Sequence, residues 1–317
     1  MMGLNVVFMG TPLFAKHMLE GLYSSEHRVL AVVTVADKPA GRGQKIQESE
    51  VKRLALEKNI PLLQPQSLKD PQFLSELSAF RADLFVVVAF RMLPEIVWKM
   101  PPKGTINLHA SLLPNYRGAA PIHWAIINGE KKTGLTTFFI NERIDCGSVL
   151  LQKELAIENH WTTGMLHDAM LAPGSQLILD TLNAIEHGTA MAQPQEVVDI
   201  LTEAPKLTKE NTFMDFSRSG EELERMVRGL NPFPTAYCYL EDIKNQQNLL
   251  CKIFESKFLK GVSALSEPLS ATKDGINFPC QDGYLCVQKL QLEGKKAMDF
   301  KAFLAGNDPR NYRLVQK

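Results

Sequence analysis

Residues 83–109, DLFVVVAFRMLPEIVWKMPPKGTINLH, contain two apolar runs that decide the fold class. DLFVVVAF at 83–90 and GTINLH at 104–109 are almost continuously apolar, which is typical of strands buried on both faces. Similar runs occur earlier in the chain, LNVVFM at 4–9 and RVLAVVTV at 28–35. Because strands of this kind belong to parallel sheets covered by helices, the pattern predicts an α/β domain with a mostly parallel, Rossmann-like sheet.

Further elements of this first domain follow from the same patterns. LTTFFI at 135–140 and SVLLQKEL at 148–155 predict a later strand pair joined by the turn-rich NERIDCG. Helical periodicity predicts helices between the strands and a long one after the strand pair. The predicted helices cover residues 12–23, 48–58, 70–79 and 163–187.

The chain as a whole predicts two domains. At 317 residues it is longer than one hydrophobic core usually supports. Residues 189–207 contain two prolines and no clear period, so we interpret them as a linker between a domain at 1–188 and a second one at 208–317. An amphipathic helix near 221–229 and strand patterns such as GYLCVQKLQL predict a small β-barrel in the second domain.

Composition and charge predict a soluble cytoplasmic protein. Hydrophobic residues make up 45% and charged residues 22% of the chain, which suits packed cores and argues against disorder. Lys plus Arg equals Asp plus Glu at 35 each, so whole-chain charge neither indicates nor excludes a nucleic-acid partner, although basic residues outnumber acidic ones from Lys289 onward. The five cysteines include no C-x-x-C pair, which argues against a disulfide framework and a thiolate zinc site. The apolar runs are strand-sized, so no membrane span or signal peptide is expected.

Asn107 and His109 are the first candidates for a functional site. They are two residues apart in GTINLH, so in a strand they point to the same face as Thr105. The intervening Ile106 and Leu108 point into the core. Ligands of open parallel sheets bind beyond the carboxyl ends of the strands, which places both polar side chains at the mouth of a cleft. The alternative is that both are buried, hydrogen-bonded residues that only fix the loop.

These residue types predict acyl transfer without a covalent enzyme intermediate. Asn107 and His109 supply N–H donors that can surround an oxygen as it becomes negative. The sequence has no G-x-S-x-G motif and no cysteine beside this loop, so the nucleophile is expected to come from a substrate. The site then needs a carboxylate to orient the histidine and receive a proton. Asp145 in NERIDCG is our candidate, although an Asp in a turn is usually only a turn former.

Two loops that contain glycine receive different interpretations. GTPLF, after the first strand, has only Gly10 where a dinucleotide fingerprint needs three glycines, so we interpret it as a tight turn into a helix. ADKPAGRGQK at 36–45 carries Lys38, Arg42 and Lys45 against one Asp. This second loop is either an ordinary solvated loop or a contact for an anionic substrate near the cleft.

The motifs also match a known family. The chain contains, in this order, GTPLFA, DKPAGRG, INLHASLLPNYRGAAPIHWAI, IDCGSVL, APKLTKEN, NPFP and GKKAMDFKAFLAG. On these motifs it resembles the methionyl-tRNA formyltransferase family over nearly its full length, while N-x-H followed by SLLP is shared by folate-dependent formyltransferases in general. There are two departures: Ala89, Phe90 and Arg91 stand where the family usually has A-Y-G, and Leu13 stands where an acidic residue commonly follows GTP.

The resemblance implies an activity. It implies transfer of a formyl group from the cosubstrate 10-formyltetrahydrofolate to the α-amino group of methionine on initiator tRNA, without a metal. It implies catalytic roles for Asn107, His109 and Asp145. The implied C-terminal domain is an OB-like barrel that contacts tRNA, and we expect a monomer that does not bind membranes.

The resemblance also implies two binding segments. The first is a folate-binding segment that follows the N-x-H motif, and the second is the cationic loop, where Arg42 matches an arginine associated with the tRNA acceptor end. The residues concerned are Ser111, Leu112, Leu113 and Pro114 for folate, and Lys38, Arg42 and Lys45 for tRNA.

Other functions stay open on the residues alone. The same site would serve a folate formyltransferase acting on a small amine, such as glycinamide ribonucleotide or a sugar-nucleotide amine, although a separate C-terminal barrel counts against this. It would also serve a formyl-folate hydrolase with water as the nucleophile. From a different class, a non-catalytic RNA-binding protein on an inert α/β scaffold would bind tRNA but not formyl-folate.

Overall fold

The structure, a computed structural model, describes residues 3–40, 45–196 and 201–315. The chain divides into two compact units. The first comprises Met1–Gly118, Lys132–Ala156 and His167–Glu203, and the second comprises Ala119–Lys131, Ile157–Leu166 and Ala204–Lys317. Two stretches that precede residue 188 therefore pack with the second unit.

The elements are numbered in chain order. The strands are β1 Asn5–Gly10, β2 Arg28–Val33, β3 Lys38–Ala40, β4 Lys45–Gln47, β5 Leu62–Leu63, β6 Leu84–Val88, β7 Thr105–His109, β8 Arg117–Gly118, β9 Lys132–Phe139, β10 Val149–Ala156, β11 Glu203–Ala204, β12 Ala236–Asp242, β13 Gln247–Lys260, β14 Ser270–Ala271, β15 Ile276–Cys280, β16 Gly283–Leu292, β17 Met298–Asp299 and β18 Tyr312–Leu314. The helices are α1 Leu13–Tyr23, α2 Glu50–Glu57, α3 Pro71–Ala79, α4 Glu95–Trp98, α5 Pro121–Ile127, α6 Thr163–Glu186, α7 Lys209–Thr212, α8 Gly220–Gly229 and α9 Phe300–Gly306, with a 3₁₀ turn at Pro309–Asn311.

The first unit is built on a mostly parallel sheet, as the apolar runs predict. Within the described residues, seven strands pair in the order β10-β9-β7-β6-β1-β2-β5. The pairs β2–β5, β1–β2, β1–β6 and β6–β7 are parallel, whereas β9 pairs antiparallel with β7 and with β10. All five residues of β6 are buried, because helices and loops cover both faces of the sheet. The strand pair predicted at 135–140 and 148–155 corresponds to β9 and β10, which form the antiparallel edge of the sheet.

Local sequence signals fix where the helices of this unit begin. The Ser49 side chain accepts from the Lys52 amide at the start of α2, and Asp70 does the same for α3, which has Pro71 at its first position. After the long helix α6, Gly188 adopts a positive φ of 68°, a conformation that glycine adopts without strain. Among the described residues, no helix is both long enough and apolar enough to cross a membrane.

Strand β7 is buried on both faces except at one position. Thr105 is buried and its hydroxyl donates to the Trp98 carbonyl at 2.8 Å, so it does not face a cleft. Ile106, Leu108 and His109 are also buried, whereas position 107 is half-buried. The polar face expected along the whole strand is therefore limited to its carboxyl-terminal end.

The second unit contains the predicted antiparallel β domain. Its described strands pair in the order β14-β15-β16-β13-β12-β18, with β17 on β16, and form a half-barrel. An isolated bridge between Pro268 and Arg313 links the segment before β14 to β18. Helix α8 packs on β13, and the core includes Phe278, Phe303 and Ile253. An α/β sheet domain followed by a small C-terminal β domain confirms the predicted fold class.

Candidate active site

The candidate site lies at the end of β7, between a parallel and an antiparallel neighbour. Asn107 is paired with Val87 of β6 and Phe138 of β9, and His109 is paired with Thr136 of β9. Asn107 and His109 lie on the same face because they are two residues apart in a strand. The sheet thus delivers an amide and an imidazole to the same edge.

His109 is oriented by contacts on both ring nitrogens. The residue is 7% exposed, and its Nε2 lies 2.8 Å from the Tyr116 carbonyl oxygen. Because a carbonyl oxygen only accepts, Nε2 carries the hydrogen in this contact. The Nδ1 atom lies 3.8 Å from Asp145 Oδ2. This distance is short enough for an ion pair but too long for a hydrogen bond. The hydrogen bond to Tyr116 therefore leaves Nδ1 as the nitrogen that faces the carboxylate.

Asp145 reaches His109 from the turn between β9 and β10. Its backbone adopts a φ of 51°, in the left-handed region that is uncommon for residues other than glycine. Its Oδ2 accepts a hydrogen bond from the Gly118 amide at 3.0 Å. Gly147 is needed for the same turn, because a Cβ atom there would lie 1.6 Å from the Phe139 carbonyl oxygen. The structure brings Asp145 and His109 together, which spacing along the chain does not reveal.

Asn107 presents a buried amide oxygen that the described residues leave unpartnered. Its Oδ1 is buried and has no hydrogen-bond partner within the described part of the chain. At the end of β1, which lies two strands away in the same sheet, the Thr11 hydroxyl oxygen is also buried and unpartnered. Buried polar atoms without partners cost about 1–3 kcal/mol each, so their persistence points to a ligand or solvent partner.

The SLLP segment after His109 is held by one buried hydroxyl. Thr136 Oγ1 donates to the Ser111 carbonyl at 2.7 Å and accepts from the Leu113 amide at 3.2 Å. Gln152 donates to the same hydroxyl and to the Leu113 carbonyl at 3.0 and 2.9 Å. The Ser111 hydroxyl is itself committed to the Asn115 carbonyl at 2.7 Å. The backbone of this segment is thus fixed.

The other two residues of the segment are less buried. Leu112 packs against β9 at Gly134, where a Cβ atom would lie 2.4 Å from Leu112 Cδ2. Pro114 lines a cavity of about 380 Å³ whose wall also includes Arg117, Cys146 and Gln195. The segment therefore contacts both the sheet and an open cavity.

Sequence reasoning missed several residues of this site. Tyr116 supplies the carbonyl that holds His109, and Gly118 supplies the amide that holds Asp145. Gln195 donates to the backbone of the Asp145 turn and accepts from Arg117. Backbone groups of Tyr116 and Gly118 leave no sequence signal, and Gln195 lies in the segment interpreted as a linker.

Arg91, one of the departures from the family pattern, is held by neighbouring backbone. Its Nη1 and Nη2 donate to the carbonyls of Gln66 and Pro65 at 3.0 and 2.6 Å. Its guanidinium lies 5.6 Å from the centre of the Phe90 ring, and burial lowers the pKa of this arginine. Arg91 therefore ties its own loop to the segment at 65–66.

The cationic loop is described only in part. Residues 38–40 and 45–47 pair as the antiparallel strands β3 and β4, and they contain Lys38 and Lys45. Arg42 lies outside the described residues. Within the described ranges, no group of three or more His, Cys, Asp or Glu side chains could hold a metal ion.

Fold and site together define the class of the protein. A parallel α/β sheet presents an amide, an imidazole and a carboxylate at a strand end, a set suited to group transfer to a substrate nucleophile. In comparisons with known proteins, a family model described as formyl transferase matches residues 4–182, and one described as formyl transferase, C-terminal domain, matches residues 206–308. The chain belongs to the formyl transferase family.

Similar curated proteins match nearly the whole chain. A protein of Flavobacterium johnsoniae named methionyl-tRNA formyltransferase is 49% identical over 304 residues, covering 96% of both chains. Proteins of the same name from Bacteroides fragilis and Clostridioides difficile are 45% and 39% identical, each over 96% of this chain and over 95% and 97% of their own.

Solved structures share the fold at low sequence identity. HypX from Aquifex aeolicus, in complex with tetrahydrofolic acid, matches 95% of this chain and 47% of its own with a TM-score of 0.64 and 18% identity. The sugar 3N-formyl transferase WlaRD, in the presence of dTDP and 5-N-formyl-THF, matches 92% of this chain and 99% of its own with a TM-score of 0.61 and 17% identity. These matches support the architecture.

Proposed function

We propose that this chain transfers the formyl group of 10-formyltetrahydrofolate to the α-amino group of methionine carried by initiator tRNA. Relatives named for this activity are 39–49% identical over nearly the whole chain. The observation that carries the proposal is the buried, unpartnered Oδ1 of Asn107 on the strand that also carries His109, whose Nδ1 lies 3.8 Å from Asp145 Oδ2. Family membership and site chemistry point to the same reaction.

The residues present fit a formyl donor. A formyl group on nitrogen is amide-like, so its oxygen needs hydrogen-bond donors as it becomes negative. The Asn107 amide supplies N–H donors toward this oxygen, and its buried Oδ1 supplies an acceptor for an N–H of the attacking amine. Ser111, Leu112, Leu113 and Pro114 form the folate-binding segment beside these groups.

His109 and Asp145 handle the proton. The α-amino group of an aminoacyl ester has a pKa of about 8 or lower, so a neutral amine is available near pH 7. When this amine attacks, it must lose a proton, and His109 Nδ1 with Asp145 Oδ2 offers a place for it. Nε2 stays committed to Tyr116, so Nδ1 is the nitrogen that serves the reaction. A proton on Nδ1 also stabilises the negative formyl oxygen. When the tetrahedral adduct collapses, the bond between the formyl carbon and the tetrahydrofolate nitrogen breaks, and that nitrogen takes up the proton as tetrahydrofolate leaves.

Binding of tRNA belongs to other parts of the chain. The loop after β2 carries positive charge on Lys38, Arg42 and Lys45. We expect it to contact the acceptor end of the tRNA, which is a polyanion. We assign the functional domains as 1–188 for catalysis, 189–207 as the connecting segment and 208–317 for tRNA contact. The protein acts as a cytoplasmic monomer.

A labelled-donor assay tests the proposal. The chain is incubated with formyl-labelled 10-formyltetrahydrofolate and methionyl initiator tRNA, with glycinamide ribonucleotide as a competing acceptor. Label on the methionyl α-amino group supports the proposal. Label on the ribonucleotide shows a small-amine formyltransferase, and release of labelled formate without an acceptor shows a hydrolase. Binding of tRNA without any transfer shows a non-catalytic RNA-binding protein.

A further inference from the structure

Gln195 joins two loops of the active site through a single side chain. Its Nε2 donates to the carbonyls of Asp145 and Gly147 at 2.8 and 2.9 Å, so it spans the turn that carries the carboxylate. Its Oε1 accepts from Arg117 Nε and Nη2 at 3.1 and 2.5 Å. Acceptors on one side and donors on the other fix the orientation of the amide. All of the hydrogen-bonding capacity of this side chain is thus directed at the active-site loops.

These contacts close a ring around the carboxylate. Gln195 holds the Asp145 backbone, Arg117 holds Gln195, and the residue after Arg117, Gly118, donates its amide to Asp145 Oδ2 at 3.0 Å. The backbone and the carboxylate of Asp145 are therefore fixed by the same ring. Loss of Gln195 releases one side of the ring and leaves two turn carbonyls without their donor.

The Asp145 turn has a left-handed residue at its centre and is supported from a distant segment. A φ of 51° places Asp145 in the left-handed region, which is disfavoured for a residue with a side chain. Gln195 is itself anchored, because Gln193 forms an antiparallel bridge with Val149, the first residue of β10. Support from an anchored segment allows the turn to keep a disfavoured conformation.

We propose that Gln195 is a positioning residue of the formyl transfer reaction, which holds Asp145 at its distance from His109. This inference rests on the proposed function, since it concerns the same carboxylate. Gln195 acts on the reaction through Asp145, as do residues that orient catalytic side chains in other enzymes. A direct role in substrate binding is the competing explanation, because Gln195 also lines the 380 Å³ cavity.

Variants of Gln195 separate these roles. Gln195→Ala is expected to lower kcat about 10-fold or more, the loss typical for removal of an orienting partner, with little change in KM for either substrate. The kcat of Gln195→Glu is expected to fall by a similar factor. A glutamate keeps an acceptor for Arg117 but loses the donors to the two carbonyls of the turn. Gln193→Ala is the matched control: this exposed residue uses only its backbone in the bridge, so kcat should stay unchanged.

Coupling to Asp145 provides the second readout. In an Asp145→Asn background, Gln195→Ala should cause little further loss, because its effect passes through the carboxylate. If Gln195→Ala lowers kcat by the same factor in the Asp145→Asn background as in the unmodified chain, the proposal is overturned. A rise in KM with an unchanged kcat overturns it too. A full kcat in both Gln195 variants overturns it as well.

Amide exchange tests the same inference without any substrate. The Gly118 amide is protected by Asp145 Oδ2, so Gln195→Ala should speed its exchange while the amide of Val87 in the sheet keeps its rate. Unchanged exchange at Gly118 counts against the proposal. If the unmodified chain transfers no formyl group, the proposed function fails, while the exchange experiment still decides whether Gln195 holds the turn.

Discussion

His109 Nδ1 and Asp145 Oδ2 lie 3.8 Å apart, while His109 Nε2 donates to the Tyr116 carbonyl at 2.8 Å. The ring is thereby held in one orientation, with Nδ1 toward the carboxylate. In the reaction that we propose, this pair receives the proton of the attacking amine.

Removal of the Asn107 amide tests its catalytic role. Asn107→Ala should lower kcat by about 100- to 1,000-fold, because the developing oxyanion loses its neutral donors, while tRNA affinity stays the same. Steady-state kinetics and tRNA binding measure the two effects. Thr105→Val, which removes a buried hydroxyl on the same strand, is the control and should keep its kcat. Equal losses of rate and tRNA binding in Asn107→Ala would indicate a structural residue.

The buried hydroxyl of Thr136 should control binding of the formyl donor. Thr136→Val keeps the shape but removes the bonds to Ser111 and Leu113, so the SLLP segment loosens and KM for the donor rises. Each buried group left unpaired costs about 1–3 kcal/mol, so thermal stability also falls.

Thr137→Val is the matched control for that experiment. Thr137 is equally buried, but its hydroxyl bonds Thr181 on α6 at 2.8 Å instead of the SLLP segment. The Thr137→Val variant should be less stable than the unmodified chain, with an unchanged KM for the formyl donor. If both variants raise KM equally, Thr136 has no specific role in the segment.

The cationic loop is expected to contribute one phosphate contact through Arg42. Arg42→Ala should weaken tRNA use and reduce the slope of log affinity against log salt by about one unit. The measurement is tRNA binding over a series of salt concentrations. Arg53→Ala removes an exposed arginine that is paired with Glu50 at 2.8 Å, and its slope should match that of the unmodified chain. If the slope of log affinity against log salt is unchanged in Arg42→Ala, the loop is an ordinary solvated loop without a tRNA contact at this residue.

Cys146 should be the thiol that reacts first with iodoacetamide near neutral pH. It is half-buried, follows Asp145 and lines the cavity beside the site, whereas the other four cysteines are buried. Burial raises the pKa of Cys280 and Cys286, and a hydrogen bond that the Cys238 thiol donates to Cys251, together with burial, raises that of Cys238.

Peptide mapping by mass spectrometry identifies the modified thiol. Modification should inactivate the protein, because a bulky group beside Asp145 disturbs the turn. Cys146→Ser should resist this inactivation. Inactivation of the serine variant at the original rate would place the sensitive thiol elsewhere.

The sequence by itself determined the sheet and the position of the first two site residues. Continuous apolar runs at 83–90 and 104–109 require burial on both faces, and a period of two puts Asn107 and His109 on one face. Both conclusions depend only on local patterns. The same patterns identified the strand pair whose turn carries Asp145.

Only the tertiary structure decided how the site is assembled. The approach of Asp145 to His109 depends on the pairing of β7 with β9 and on a left-handed turn, neither of which is encoded by local spacing. Gln195 reaches this turn from 50 residues further along the chain, and Tyr116 acts through its backbone carbonyl. Side chains and carbonyls that meet across such separations are selected by packing of the whole unit, so no stretch of sequence carries them alone.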